Sequence, residues 1–353
     1  MTPMPSPAGT SPSAATTWRT RVPGLAAAVA LALVATAIGT AAPIVGAPVS
    51  GVLLGVVVGV LLRRRPATVT PLGPGLRTAS KLVLQVAVVL LGARLSLAQV
   101  AEVGLDSLPV MLGTVAVCLV GAALVGRALG IDHELRVLIG TGTAICGASA
   151  IAAVTPVVRA SGNNVAYALS TVFAFNIAAV LVFPPLGQLL GMSEESFGLF
   201  AGTAVNDTSS VVAAATTFGP VAADYAVVVK LVRTLLIIPI VIGLGVMVAR
   251  RDRRLAGEEA GPRTSVRTLV PWFLVGFLVL ATANSLGLVA ESWHDPLATA
   301  ATFLITVALS AIGLSTDLPA LRAAGLRPLA FGGILWILVT ASALAIQYLT
   351  GLL

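Results

Sequence analysis

Apolar stretches long enough to cross a lipid bilayer follow one another along nearly the whole chain. Eleven are read, at about 23–42, 47–62, 79–96, 109–128, 137–157, 164–188, 196–217, 222–249, 268–289, 297–314 and 328–350. A spanning helix needs roughly 20 predominantly apolar residues. Only 10% of the 353 residues are charged, where a soluble domain carries about 25%, and the mean hydropathy is +1.01. Such a chain cannot cover a water-facing surface. Membrane β-barrels alternate polar and apolar residues over short segments, whereas these runs are continuous. The predicted class is therefore an all-α polytopic membrane protein of about eleven transmembrane helices. Residues 1–22, rich in Pro, Ser, Thr and Ala, are expected to form a disordered tail, and 23–353 a single transmembrane domain. The first apolar run has no clean cleavage site and many spans follow it, so it reads as a first helix.

The placement of charge orients the chain. With the N-terminus inside, the inside connectors hold Arg19 and Arg21; Arg63, Arg64, Arg65, Arg77 and Lys81; Arg127 and Arg136; Arg250, Arg251, Arg253, Arg254, Arg263 and Arg267; and Arg322 and Arg327. That is seventeen of the 21 basic residues, against Arg94 and Arg159 outside. Basic residues concentrate on the cytoplasmic side of membrane proteins. The expected topology has a cytoplasmic N-terminus and an outside C-terminus in the cell membrane. A net charge of +7 distributed this way points to topology and not to nucleic acid. One connector fits badly: 189–195 should lie inside, yet it carries Glu194 and Glu195 and no basic residue.

Two internal matches stand out. GARLSLAQVAEVGLDSL (92–108) aligns without gaps to GLSTDLPALRAAGLRPL (313–329), and the span count puts the copies on opposite sides. Inverted repeats of this kind are a common transporter plan. GTAICGASAIAA (142–153) aligns to GTAVNDTSSVVA (202–213), but the span count gives these two the same orientation. Either the count between them is off by one, or one segment is re-entrant.

The same two segments carry the chemistry. In 138–156, Gly140, Gly142, Gly147 and Pro156 weaken a helix interior. A broken helix exposes N–H groups on one half and carbonyls on the other, which a membrane tolerates only beside a cavity or within protein. Exposed N–H ends attract anions. A packing face of small residues is the alternative. In the second segment Asn206, Asp207, Thr208, Ser209 and Ser210 lie midway along an apolar stretch. An ionised Asp at a span centre costs about 2.5–3.5 kcal/mol on insertion scales, and such residues mark ion or substrate paths. A buried structural hydrogen-bond cluster is the alternative. Lys230 and Arg233 follow in 224–243. If that helix starts near Val221, Lys230 lies roughly 13–14 Å deep, near the midplane. Snorkelling or simple pairing is one account of the two bases; presenting charge to an anion, or neutralising Asp207, is the other.

Several of these elements carry a resemblance: G-A-R-L-S-L (92–97), G-T-A-I-C-G-A-S-A-I-A-A-V-T-P-V-V (142–158), G-T-A-V-N-D-T-S-S-V-V-A-A (202–214), K-L-V-R (230–233) and P-W-F (271–273). Together they resemble the YeiH family of sulfate exporters over nearly the whole chain after the tail. The resemblance implies a multi-pass inner-membrane protein that exports sulfate. Some members carry His-Glu where this chain has Asn206-Asp207; the acid is kept and the histidine is not, which removes the ground for a His-based proton relay. More loosely, 92–158 looks like the bile-acid/sodium symporter fold, in which two broken helices cross near the midplane.

The expected function is a secondary active transporter of a small anion such as sulfate. Gly142, Thr143, Cys146, Gly147 and Ser149 would line one side of the site, and Asn206, Thr208, Ser209 and Ser210 the other. Lys230 and Arg233 would hold the anion, and Asp207 would take a coupling proton or sodium ion. The chain has no nucleotide-binding loop, and its two cysteines, Cys118 and Cys146, are too few for a metal cage, so neither cofactor nor metal is expected. An anion channel is the alternative from another class. An intramembrane hydrolase is disfavoured, because no histidine lies within a span to serve a Ser149 nucleophile and an aspartyl mechanism would need a second buried carboxylate. Whether the chain works alone or as a homodimer stays open.

Overall fold

The structure, a computed structural model, describes residues 14–41, 46–63, 70–255, 272–315 and 326–353. Among these, all regular structure is helical. Helix α1 is Ala14–Ala41 and α2 Gly46–Arg63. The third, α3, is Gly73–Arg94, with a π turn at Ala79–Val83. A short amphipathic helix α4, Leu97–Asp106, leads into α5, Leu108–Ala128. Then come α6 His133–Ala144, α7 Ala148–Val158, α8 Gly162–Leu189, α9 Glu194–Ala204, α10 Thr208–Phe218, α11 Pro220–Leu235 and α12 Ile237–Leu255. The chain ends with α13 Trp272–Ser285, α14 His294–Ser315 and α15 Leu326–Thr350. Seven helices are long and apolar enough to cross a membrane: α1, α3, α5, α8, the nearly continuous α11–α12 pair over Pro220–Val248, α14 and α15.

Helix α1 begins inside the stretch expected to be a disordered tail, so 14–22 are helical; 1–13 lie outside the described residues. Residues 316–325, the centre of the second copy of the 92–108 repeat, also lie outside them.

Two groups of helices pack around α10 and α11. One is α1–α3 with α13 and α14. Its most extensive contact, α2 against α14, follows from the spacing Gly51, Gly55, Gly59 on α2. A Cβ on Gly55 would lie 2.5 Å from the Ser310 carbonyl oxygen of α14 and 2.9 Å from the Gly313 Cα, so glycine is required for the two backbones to touch. The other group, α5–α9 with α12 and α15, surrounds a core that includes Leu138, Ile139, Ile151, Phe183, Phe197 and Phe200. An aromatic ladder ties it together. Phe175 and Phe183 of α8 stack on Trp336 of α15, Phe183 meets Phe200 of α9, and Phe197 of α9 stacks on Phe218 of α10. Val212 and Ala213 of α10, and Val227, Val228 and Leu231 of α11, pack against α2, α3 and α14 as well.

The stretches 137–157 and 196–217, each expected as one span, are helical hairpins. The Glu134 carboxylate at the start of α6 accepts from the Ser161 N–H, 3.0 Å, just past the end of α7. The Glu194 carboxylate at the start of α9 accepts from the Val221 and Ala222 N–H groups, 2.7 and 3.2 Å, just past the end of α10. Phe197, in the first turn of α9, stacks at 3.9 Å on Phe218, the last residue of α10. Each segment therefore returns to the end it started from. Limbs of 11 or 12 residues are about 16–18 Å long, half of a bilayer core.

Helix α8 separates the two hairpins. The first opens at the N-terminus of α8 and the second just beyond its C-terminus, so they are inverted relative to each other. This corrects the equal orientation that the span count assigned to 142–153 and 202–213.

Candidate functional site

The hairpin tips meet. Helix α6 ends at Ala144 and α7 starts at Ala148; α9 ends at Ala204 and α10 starts at Thr208. The aligned repeat thus breaks at corresponding positions in both copies. The means differ. In the first tip the Gly147 N–H reaches back to the Gly142 carbonyl, 2.9 Å, with Gly147 at φ +64° and ψ −121°, a conformation that favours glycine. In the second tip Val205 and Asp207 are extended. The Asn206 and Asp207 N–H groups donate to Asn176 Oδ1 at 3.2 and 3.3 Å, and Asp207 caps α10 by accepting from the Ser209 N–H, 3.1 Å, and from the Ser209 hydroxyl.

Asn176 stands at the midpoint of the 28-residue α8 and is 2% exposed. Sequence reasoning missed it. Its one signal was a lone amide in the apolar run TVFAFNIAAV, which says nothing about what it faces.

Lys230 and Arg233 join both tips. Lys230 Nζ donates to the Ile145 and Val205 carbonyls, both at 2.8 Å. Arg233 Nε donates to Ala144 O at 2.8 Å, Nη2 to Thr143 O at 3.4 Å, and Nη1 to Thr203 O. Both side chains are 0% exposed. The last carbonyls of a helix have no partner within it, and its C-terminus carries about half a negative charge. Here α6 and α9 point two such ends at one pair of cations. The bases expected to hold an anion thus direct these donors to the protein's own carbonyls. Neither snorkels.

The remaining sequence candidates divide by exposure. Gly142, Thr143, Cys146 and Gly147 are buried in the first tip, and Asn206, Ser209 and Ser210 in the second. Gly142 packs against Ile151, where a Cβ would meet the side chain at 2.9 Å. Asp207 and Thr208 are half-buried, and Ser149 is exposed. Asn206 Oδ1 is sealed from solvent and has no hydrogen-bond partner. Cys118 and Cys146 are free thiols, and Cys118 sits beside the Gly140 carbonyl at 3.6 Å. Among the described residues no group of three or more His, Cys, Asp or Glu could hold a metal.

The match to known proteins is extensive. The model of the family described as Conserved hypothetical protein 698 matches residues 23–332. A UPF0324 membrane protein of Streptococcus pyogenes serotype M3 is 42% identical over 337 residues, covering 94% of this chain and 98% of the relative. Those of Streptococcus pneumoniae and Streptococcus mutans are 39% identical over 337 residues and 38% over 340, covering 93% and 94% of this chain and 97% and 98% of the relatives. No solved structure matches. On the reach of the family model and the identity across nearly full-length relatives, this multi-pass membrane protein belongs to the UPF0324 family.

Proposed function

We propose that the chain is a secondary active transporter that moves a small anion, sulfate being the first candidate, driven by an ion gradient. The observation that carries this is the pair of inverted hairpins whose tips meet at the mid-height of α8 and of the α11–α12 pair. Unwound backbone at membrane depth is tolerated where it is enclosed by protein or lines a polar cavity, and paired inverted breaks are how many transporters build a midplane site. Asp207, half-buried and joined to the tips, is the group for a coupling proton or sodium ion. Lys230 and Arg233 fix the two tips to α11, so a change at one tip is felt at the other.

The hairpins also sharpen the topology. With both re-entrant, α1, α2, α3, α5, α8, α11–α12, α13, α14 and α15 make nine crossings, the N-terminus is cytoplasmic and the C-terminus outside the cell membrane. The connector at 189–195 moves outside with Glu194 and Glu195, and Arg159 moves inside. Eighteen of the 21 basic residues then lie inside and only Arg94 outside, with Lys230 and Arg233 at the tips. This agrees with the positive-inside rule better than the eleven-span count does.

The test is counterflow of radiolabelled sulfate in proteoliposomes, with and without a pH or sodium gradient. Wild type is compared with Asp207→Asn and Lys230→Ala. Saturable counterflow that loses only its gradient dependence in Asp207→Asn supports the carrier and the coupling role. Non-saturating flux without counterflow means a channel. No flux from folded protein removes sulfate from the proposal.

A further inference from the structure

Four half-helix ends meet at the tips, and they are not treated alike. The carbonyl ends of α6 and α9 are held by Lys230 and Arg233. The N–H end of α10 is capped by Asp207. The N–H end of α7 has no side-chain cap. The Ala148 and Ser149 N–H groups meet no acceptor among the described residues. An 11-residue helix thus keeps its positive end open in the centre of the molecule.

A second donor lies beside the residue that precedes α7. Asn176 Oδ1 accepts two backbone N–H bonds from the second tip, which fixes which end of the amide is oxygen. Its Nδ2 is therefore turned away from that tip, and it lies 3.8 Å from where a Cβ on Gly147 would stand. Nδ2 donates to nothing among the described residues, yet unlike Asn206 Oδ1 it is not sealed from solvent. A buried amide donor without an acceptor costs free energy unless something supplies one. Gly147 leaves only the room of a Cβ unfilled there, bordered by Val172 Cγ1 at 3.5 Å and Asp207 Cβ at 3.6 Å.

We propose that Asn176 Nδ2 and the open N-terminus of α7 form an oxyanion subsite, which takes a small anion with two or more acceptor oxygens in preference to a halide. It rests on the tips being the transport site, and it adds Asn176 as a substrate contact. N–H donors from two separate elements suit separate oxygens of one anion. A spherical halide fits neither direction as well.

The test uses full-length protein in nanodiscs, titrated with sulfate, phosphate, nitrate and chloride, with thermal unfolding followed in parallel. Asn176→Asp keeps the oxygen that holds the second tip and replaces the donor by a charge that repels anions. Ser149→Glu places a carboxylate in the first turn of α7, where it satisfies the helix end from within. The expected result is oxyanion binding by wild type that chloride does not displace, weakened about tenfold or more in each variant, with Ser149→Glu unfolding no earlier than wild type. Wild-type affinity in both variants overturns the subsite, as does folded wild type that binds none of the three oxyanions or binds chloride equally. Counterflow separates the two proposals. Binding lost in the variants with no counterflow in wild type leaves the subsite and removes the transporter; counterflow unchanged in Asn176→Asp does the reverse.

Discussion

The two hairpins share a sequence pattern, a limb length and a break position, but they differ in surroundings. The second is enclosed. Phe197–Ala204 of α9 and Ser209–Ala215 of α10 are buried throughout. The first has one enclosed limb, α6, and one bordering limb, α7, on which Ser149, Ala152 and Pro156 are exposed. These three lie three and four residues apart, so they share one face of the helix. The tips differ in the same sense: the enclosed hairpin caps its own N–H end with Asp207, and the bordering one leaves its end open. Two matching segments thus form one enclosed hairpin and one with a bordering limb.

The largest expected effect is on what joins the two. Arg233→Ala removes three hydrogen bonds to buried carbonyls and one of the largest fully buried side chains. Charge-assisted bonds of this kind contribute about 1.5–3 kcal/mol each, so the protein should unfold far earlier or fail to fold. Lys230→Ala loses two such bonds and should be the milder change. Size-exclusion melting reads both. An Arg233→Ala protein that melts with wild type would mean that the hairpins stand without their clasp.

Next is exposure itself. Ser149→Cys should react with a hydrophilic maleimide much faster than Ser210→Cys, whose residue is 8% exposed. The native thiols are buried and give a low baseline. Equal rates would abolish the distinction between the hairpins. Reaction of Ser149→Cys only with a lipid-soluble reagent would turn that face of α7 toward lipid.

The hairpin mouths give a smaller contrast. Glu194 satisfies two N–H groups at the start of α11, which has no side-chain cap of its own. Its loss in Glu194→Ala should cost about 1–2 kcal/mol, like the loss of a cap. Glu134 accepts from the Ser161 N–H and from Asn164 Nδ2, but α8 keeps Ser161 as its own cap. Glu134→Ala should fall within about 0.5 kcal/mol of wild type. Melting temperatures in the reverse order would mean that the first mouth, and not the second, is the anchored one.

Much of this was legible in the sequence, and the rest was hidden for a definite reason. The match of GTAICGASAIAA to GTAVNDTSSVVA located both breaks, with Ala144 over Ala204 and Ala148 over Thr208. Re-entrance of one segment stood there only as an alternative, and folding back of both was not decidable, because two limbs of eleven or twelve apolar residues have the length and hydropathy of one span. The misplaced glutamates at 194 and 195 were the trace of that error. That Lys230 and Arg233 share one face of a helix was readable from their spacing. Their partners were not, since backbone carbonyls leave no mark in a sequence. Asn176 was silent for a related reason: what it does depends on an unwound tip thirty residues away in the chain.

The smallest effect on the fold should come from the residue with the largest expected effect on coupling. Asp207 caps α10 through one oxygen, which accepts from the Ser209 N–H. Asn and Asp are nearly equal as N-caps, and their replacement by Ala costs about 1 kcal/mol. Asp207→Asn should therefore melt with wild type, and Asp207→Ala measurably below it. That order would show that Asp207 supports the second tip through its cap and not its charge, and that the charge is free to act on a proton or cation. If Asp207→Asn unfolds as early as Asp207→Ala, the negative charge itself holds the tip together beside Lys230. Asp207 would then belong to the anchor, and any gradient dependence lost in Asp207→Asn would report a disturbed tip and not a missing coupling group.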